Sequence, residues 1–239
     1  MKYMYTILGA CLLVIFSGCG SSFENPVERL KHQLKDVSTY SIILEDMKED
    51  GNVFSHYFHK YKIIQLDNDW STGWEEVSDS FYKQNENFLG MTLAVKKDGK
   101  LGNHVAPPGY AYVGDPNYGQ WRTNNSGDSF WEFYGKYRMF ADVLGMFMGG
   151  SIFQRDYDDY RHYRKRRQPF FGRNKQYGTR GSFTKRKNPS FFQRRMERER
   201  KKTSSFSDRV SKRLGSSNKS SKIGRTRSGF RSRSASYGK

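Results

Sequence analysis

"YSIILEDMKEDGNVFSHYFHKYKIIQL", residues 40–66, decides how the ordered part of this chain is read. Two runs rich in β-branched and aromatic residues flank Asp50-Gly51, the dipeptide favoured in tight type I′ turns, and the pattern predicts an antiparallel hairpin. The second run also fits a helix, because Phe54, Phe58 and Tyr61 recur at helical spacing. On a strand, Phe54, His56, Phe58 and Lys60 share one face instead.

Outward from the hairpin, Asn25 can accept a hydrogen bond as N-cap and Pro26 suits the first helical position. Val27, Leu30 and Leu34 then form one apolar face of a short helix. On the other side, "WEEVSDSFYKQNENFLGMTLAVKKDGKLG" offers a short helix or irregular segment, then a strand Met91 to Val95 ending in an Asp98-Gly99 turn. The expected class is α+β: a small mixed domain of antiparallel strands and short helices over residues 25–105, followed eventually by a long, mostly disordered basic tail.

Residues 106–129 are rich in Gly, Pro, Asn, Tyr and Trp, and read as a loop. Within it Tyr110, Tyr112, Tyr118 and Trp121 suit either packing of a small domain or a surface for a glycan or peptide. Over residues 130–153, Phe130, Phe133, Tyr137, Phe140, Leu144 and Phe147 lie on a helical stripe, which predicts an amphipathic helix. It covers the sheet, or alternatively lies on a bilayer surface. Met139 to Phe153 is 15 residues with Asp142 inside, short of the ~20 that a spanning helix requires.

Charge is distributed unevenly. Residues 1–154 hold 14 Lys/Arg and 18 Asp/Glu, a net of −4, whereas residues 155–239 hold 28 and 6, a net of +22. This asymmetry points to a globular part with a basic appendage that seeks a polyanion or an anionic surface. Residues 154–239 combine abundant Ser, Gly, Arg and Lys with scattered aromatics, a composition that predicts disorder in isolation. A transient helix fits "SFFQRRMERERKKTSSFSDRVSKRLG", with Ser204 onward breaking it. The candidate anion-binding residues are Arg161, Arg164, Lys165, Arg166, Arg167, Arg194, Arg195, Arg225, Arg227, Arg231 and Arg233.

Signatures of catalysis are missing. The sequence contains no G-x-S-x-G, no G-x-x-x-x-G-K-[ST] and no G-x-G-x-x-G. Glu75-Glu76 and Asp158-Asp159 are adjacent, which does not place two carboxylates across a substrate. His56 and His59 face the same way only on a helix, so a metal site there depends on the less favoured reading. Cys11 and Cys19 are the only cysteines, which rules out a thiolate zinc site and a disulfide beyond Cys19. The expectation is a protein without catalytic residues, cofactor or metal; the alternatives are a nucleic-acid binder using the basic tail and an envelope hydrolase or glycan-binding domain centred on the aromatic loop.

"MKYMYTILGACLLVIFSGCGSS" opens the chain with Lys2, an apolar run from Met4 to Phe16, and small residues around a cysteine, the order of a secretory signal. Phe16-Ser17-Gly18-Cys19 resembles the lipobox of bacterial lipoproteins, with Phe16 where Leu is usual. The remainder is faintly similar to uncharacterised envelope lipoproteins. The resemblance implies removal of the signal peptide 1–18, acylation of Cys19 and a lipidated linker over 19–24. It also implies a bacterial envelope location, with Gly20 after the cysteine favouring the outer membrane, facing the periplasm or the surface, in a Gram-negative cell. Several acyl chains at ~0.8 kcal/mol per buried methylene anchor a protein where one chain is marginal. The expected partners are the membrane through the acylated terminus and anionic lipid or polymer through the tail. Radiolabelled palmitate is expected to enter the wild-type protein and not Cys19→Ala; equal labelling of both contradicts the anchor.

Overall fold

The computed structural model describes residues 23–51, 54–137, 140–142, 145 and 150–217, with side chains as far as residue 213. The expected signal peptide 1–18, Cys19 and the last 22 residues, including Arg225, Arg227, Arg231 and Arg233, lie outside the described residues. The chain divides into two compact units, one ending at Arg194 and one beginning at Arg195.

In the first unit, α1 (Pro26–Gln33) starts as its sequence predicts, with the Asn25 side chain accepting from the Val27 and Glu28 amides. The strands β1 (Tyr40–Asp50) and β2 (His56–Gln65) form the expected antiparallel hairpin. Its turn is longer than the Asp50-Gly51 dipeptide suggests: Asp50 pairs with His56, which leaves five residues between the strands. After β2 come β3 (Asp69–Ser71) and β4 (Glu75–Val77), which pair with successive parts of its outer edge. Ser78 then caps α2 (Asp79–Asn85) by accepting from the Phe81 amide. β5 (Thr92–Lys97) and β6 (Lys100–Gly102) close a second hairpin at Asp98-Gly99, both left-handed at φ 49° and 78°, as a type I′ turn requires. The sheet order is β3-β2-β1-β5-β6, with β4 also on β2.

Both faces of this sheet are covered. Val27, Leu30 and Leu34 of α1 pack on Tyr40, Ile42, Leu44, Tyr61 and Ile63, with Phe81 and Tyr82 of α2 beside them. The opposite face carries Ile43, Ile64 and Val95 beneath Tyr112, Tyr118 and Phe140.

Two segments depart from their sequence reading. Residues 129–133 are not the start of a helix: β7 (Gly119–Thr123) and β8 (Ser129–Phe133) form a hairpin, followed by a 3₁₀ turn at Gly135–Tyr137. Aromatic spacing of three fits a helix, but Phe130 and Trp131 pair across to Arg122 and Trp121, and Trp131 donates its amide to Ile152. Residues 140–142 are helical, while the stripe positions Leu144 and Phe147 lie outside the described residues. No helix among the described residues is long and apolar enough to cross a membrane.

The domain also extends well past residue 154. α3 (Gln154–Lys165), α4 (Ser182–Lys187) and the first residues of α5 (Pro189–Ser217) belong to the first unit. Tyr160, Phe170 and Tyr177 join Tyr110, Trp131 and Ile152 in a second core, and Phe191 joins the first. Average composition hides these residues, because a few buried aromatics amid many exposed cations suffice for folding. Gly178 shows how closely this segment is fitted: it is left-handed at φ 75°, and a Cβ there would lie 2.6 Å from the Asn87 carbonyl oxygen. Phe170, 1% exposed, packs on Tyr110 and Tyr160, so Phe170→Ala is expected to destabilise the protein by ~3–5 kcal/mol in urea unfolding. A change below ~1 kcal/mol would place residue 170 outside the core.

Candidate anion-binding surface

The basic residues predicted to act as one tail divide into three settings. Arg161, Arg164 and Lys165 occupy the last turns of α3, Arg166 is its C-cap, and Arg167 follows in the left-handed conformation at φ 56°. The end is a Schellman motif: the Arg167 amide donates to the Arg164 carbonyl at 3.0 Å and the Gln168 amide to the Tyr163 carbonyl at 3.1 Å. Glycine usually holds the position that Arg167 occupies, and the helix dipole favours cations here.

All five side chains are exposed. Arg161 reaches Asp158 only at 4.0 Å, and Arg164, Lys165, Arg166 and Arg167 form no ion pair among the described residues. The platform beneath is rigid, since Tyr157 and Tyr160 hold α3 against Trp121, Tyr110 and Phe170.

Arg194 has a different role. Its guanidinium bonds both Asp46 carboxylate oxygens at 2.7 Å and the Met47 carbonyl at 3.3 Å, and lies over the Trp74 ring. It is a structural clasp rather than a free anion contact. In the second unit, Arg195, Arg198, Arg200, Lys201 and Lys202 precede Arg209, Lys212 and Arg213 on α5. The expected break at Ser204 does not occur. Thr203, Ser204 and Ser205 donate their hydroxyls to the carbonyls of Glu199, Lys201 and Lys202, which accommodates them inside the helix.

The aromatic loop does not form the surface its composition suggests. Tyr110, Tyr112 and Tyr118 are almost fully buried. Tyr112 shares a hydrogen bond with Ser41 at 2.9 Å, and Tyr118 donates to Asp98 at 2.8 Å. Burial raises all three phenol pKa values, Tyr118 to about 12. Trp121 alone stays partly exposed, edge-on to Trp131 at 5.2 Å. This is the packing alternative, and it removes the three tyrosines from any glycan or peptide surface.

Beside α3 lies a cleft of about 330 Å³, bordered by the β5–β6 hairpin and containing Lys97, Lys100, His104 and Arg164. Sequence reasoning missed it, because its residues are scattered over β5, β6, α3 and the intervening loops. Pro169, two residues beyond Arg167, was the one local signal that a helix stops near this point.

No known family, curated protein or solved structure matches the chain. Its chemistry therefore has to be read from its own residues.

The two histidines considered for a metal sit on β2, not a helix. His56 is exposed beside Glu76 at 2.7 Å, and His59 is completely buried. Among the described residues no three His, Cys, Asp or Glu side chains gather as a metal ion requires. The His59 Nδ1 pairs with the Tyr61 hydroxyl at 3.0 Å, its ring meets Phe81 and Tyr82, and its Nε2 has no hydrogen-bond partner. Burial lowers its pKa to about 4. Between pH ~6.5 and about 4 the unfolded chain takes up a proton that the folded one does not, so stability falls with pH through that window by up to ~3 kcal/mol. His59→Phe is expected to flatten this part of the stability profile measured by urea unfolding. Parallel profiles would contradict it.

Proposed function

We propose that this is a non-enzymatic, lipid-anchored envelope protein that binds anionic envelope material through its cationic C-terminal region. In this reading Cys19 holds the chain at a membrane. The end of α3, with the cations that follow it, engages phospholipid headgroups, lipopolysaccharide, wall polymer or an acidic partner. The observation that carries the reading is Arg164 to Arg167: four exposed cations that form no ion pair among the described residues, displayed on a helix end held by buried aromatics, one of them in a left-handed conformation that costs an L-residue ~1–2 kcal/mol. The helix dipole favours a cation there, but glycine would relieve the backbone cost, and anion binding gives a reason to keep the arginine.

This separates stability from binding in a single variant. Arg167→Gly is expected to raise stability by ~1 kcal/mol, since glycine adopts the conformation freely. The same change is expected to weaken sedimentation with phosphatidylglycerol vesicles about fivefold at low salt, the equivalent of ~1 kcal/mol per basic residue at an anionic surface. The deficit should shrink as salt rises. Unaltered vesicle binding overturns the role of the turn. Tight binding to duplex DNA by protein recovered from the cytoplasm would favour a nucleic-acid partner instead.

A further inference from the structure

The cleft between the β5–β6 hairpin and α3 contains cations that no carboxylate neutralises among the described residues. Lys100 is exposed on β6 and Arg164, which also bonds the Tyr160 hydroxyl, is exposed on α3, and neither forms an ion pair among the described residues. His104 is half-buried with its ring 5.4 Å from the Tyr160 ring, and its Nε2 is covered without a hydrogen-bond partner.

The remaining charged groups are already engaged. Lys97 pairs with Asp115 at 2.6 Å, and Asp98 accepts the Tyr118 hydroxyl. Val95, Ala111 and Leu101 add an apolar wall, with Leu101 59% exposed. At about 330 Å³ the space is at the small end of small-molecule sites and suits one ring rather than a polymer.

We propose that this cleft binds a phosphate monoester carried on a small organic group, with the phosphate held between Lys100 and Arg164 beside the His104 ring. The monoester dianion matches two cations that form no ion pair among the described residues, where a carboxylate carries only one charge. The apolar wall meets the organic part. Burial and the nearby Arg164 hold the His104 pKa below its usual value in the empty cleft. A bound dianion acts in the opposite direction, so ligand raises it. This site stands apart from the lipid anchor and shares only Arg164 with the vesicle-binding turn, so Arg167→Gly leaves it intact and Lys100→Ala spares the turn.

The test uses the full chain in neutral detergent micelles, labelled with ¹⁵N-histidine and titrated separately with inorganic phosphate, glucose 1-phosphate and dihexanoyl phosphatidic acid. The His104 signal is expected to shift saturably and its pKa to rise with at least one ester. Lys100→Ala and Arg164→Ala are each expected to weaken that ester by about tenfold or more, the loss of one charge-assisted hydrogen bond. Saturation by the sugar ester assigns a glycan source, and saturation by the lipid ester alone assigns a headgroup. No saturable shift with either ester, an ester no tighter than inorganic phosphate, or a shift indifferent to Lys100→Ala overturns the proposal.

Discussion

β1 is the strand that everything else is arranged to cover. Its first five residues, Tyr40 to Leu44, are all at most 2% exposed, because Tyr40, Ile42 and Leu44 face one layer and Ser41 and Ile43 the other. A strand buried on both faces needs a layer on each side. The helices α1 and α2 supply the first, and the buried tyrosines after residue 110 supply the second. Past Leu44 a bulge at Glu45 interrupts the pairing with β2, and β5 no longer runs alongside. There Asn188 donates to the Glu45 carbonyl and Arg194 takes Asp46 and the Met47 carbonyl. The basic region therefore begins inside the fold, bonded to an otherwise open strand edge.

How much of this could be read from the sequence depended on whether the signal was local. Asn25-Pro26 and Asp98-Gly99 specify their own conformations, and both elements form where expected. The 40–66 hairpin was legible because apolar residues alternate along it. Its connection was not, since Asp50-Gly51 is compatible with a longer loop. The order in segment 154–194 was not legible for a physical reason: Tyr160, Phe170, Tyr177 and Phe191 are spaced too irregularly to make a period, and each is buried by residues distant in sequence. The same long-range packing turned Tyr110, Tyr112 and Tyr118 from apparent surface residues into core pillars. Of the site itself, the cation run 161–167 was visible as charge, but its display on a helix end, and its proximity to Lys100 and His104, came only from the fold.

The cations thus differ in kind despite similar composition. Arg194 is consumed by Asp46, Lys62 by Asp69 and Lys97 by Asp115, and these stabilise the domain. Arg164 to Arg167 form no ion pair among the described residues, and are held by a helix that packs on buried aromatics. Pre-organised charge of this sort binds with less loss of side-chain and backbone freedom than a fluctuating tail.

The bond between Asp46 and Arg194 spans 148 residues. Closing so large a loop late in the chain makes for slow folding, because long-range contacts form only after their connecting segments are ordered. During synthesis the edge of β1 stays open until residue 194 has emerged, long after its own hairpin is complete. On the proposal that the first 18 residues direct export, that delay has a use. A chain whose strand edge is clasped only at residue 194 completes its fold late, and a chain not yet fully folded can pass through a narrow membrane channel.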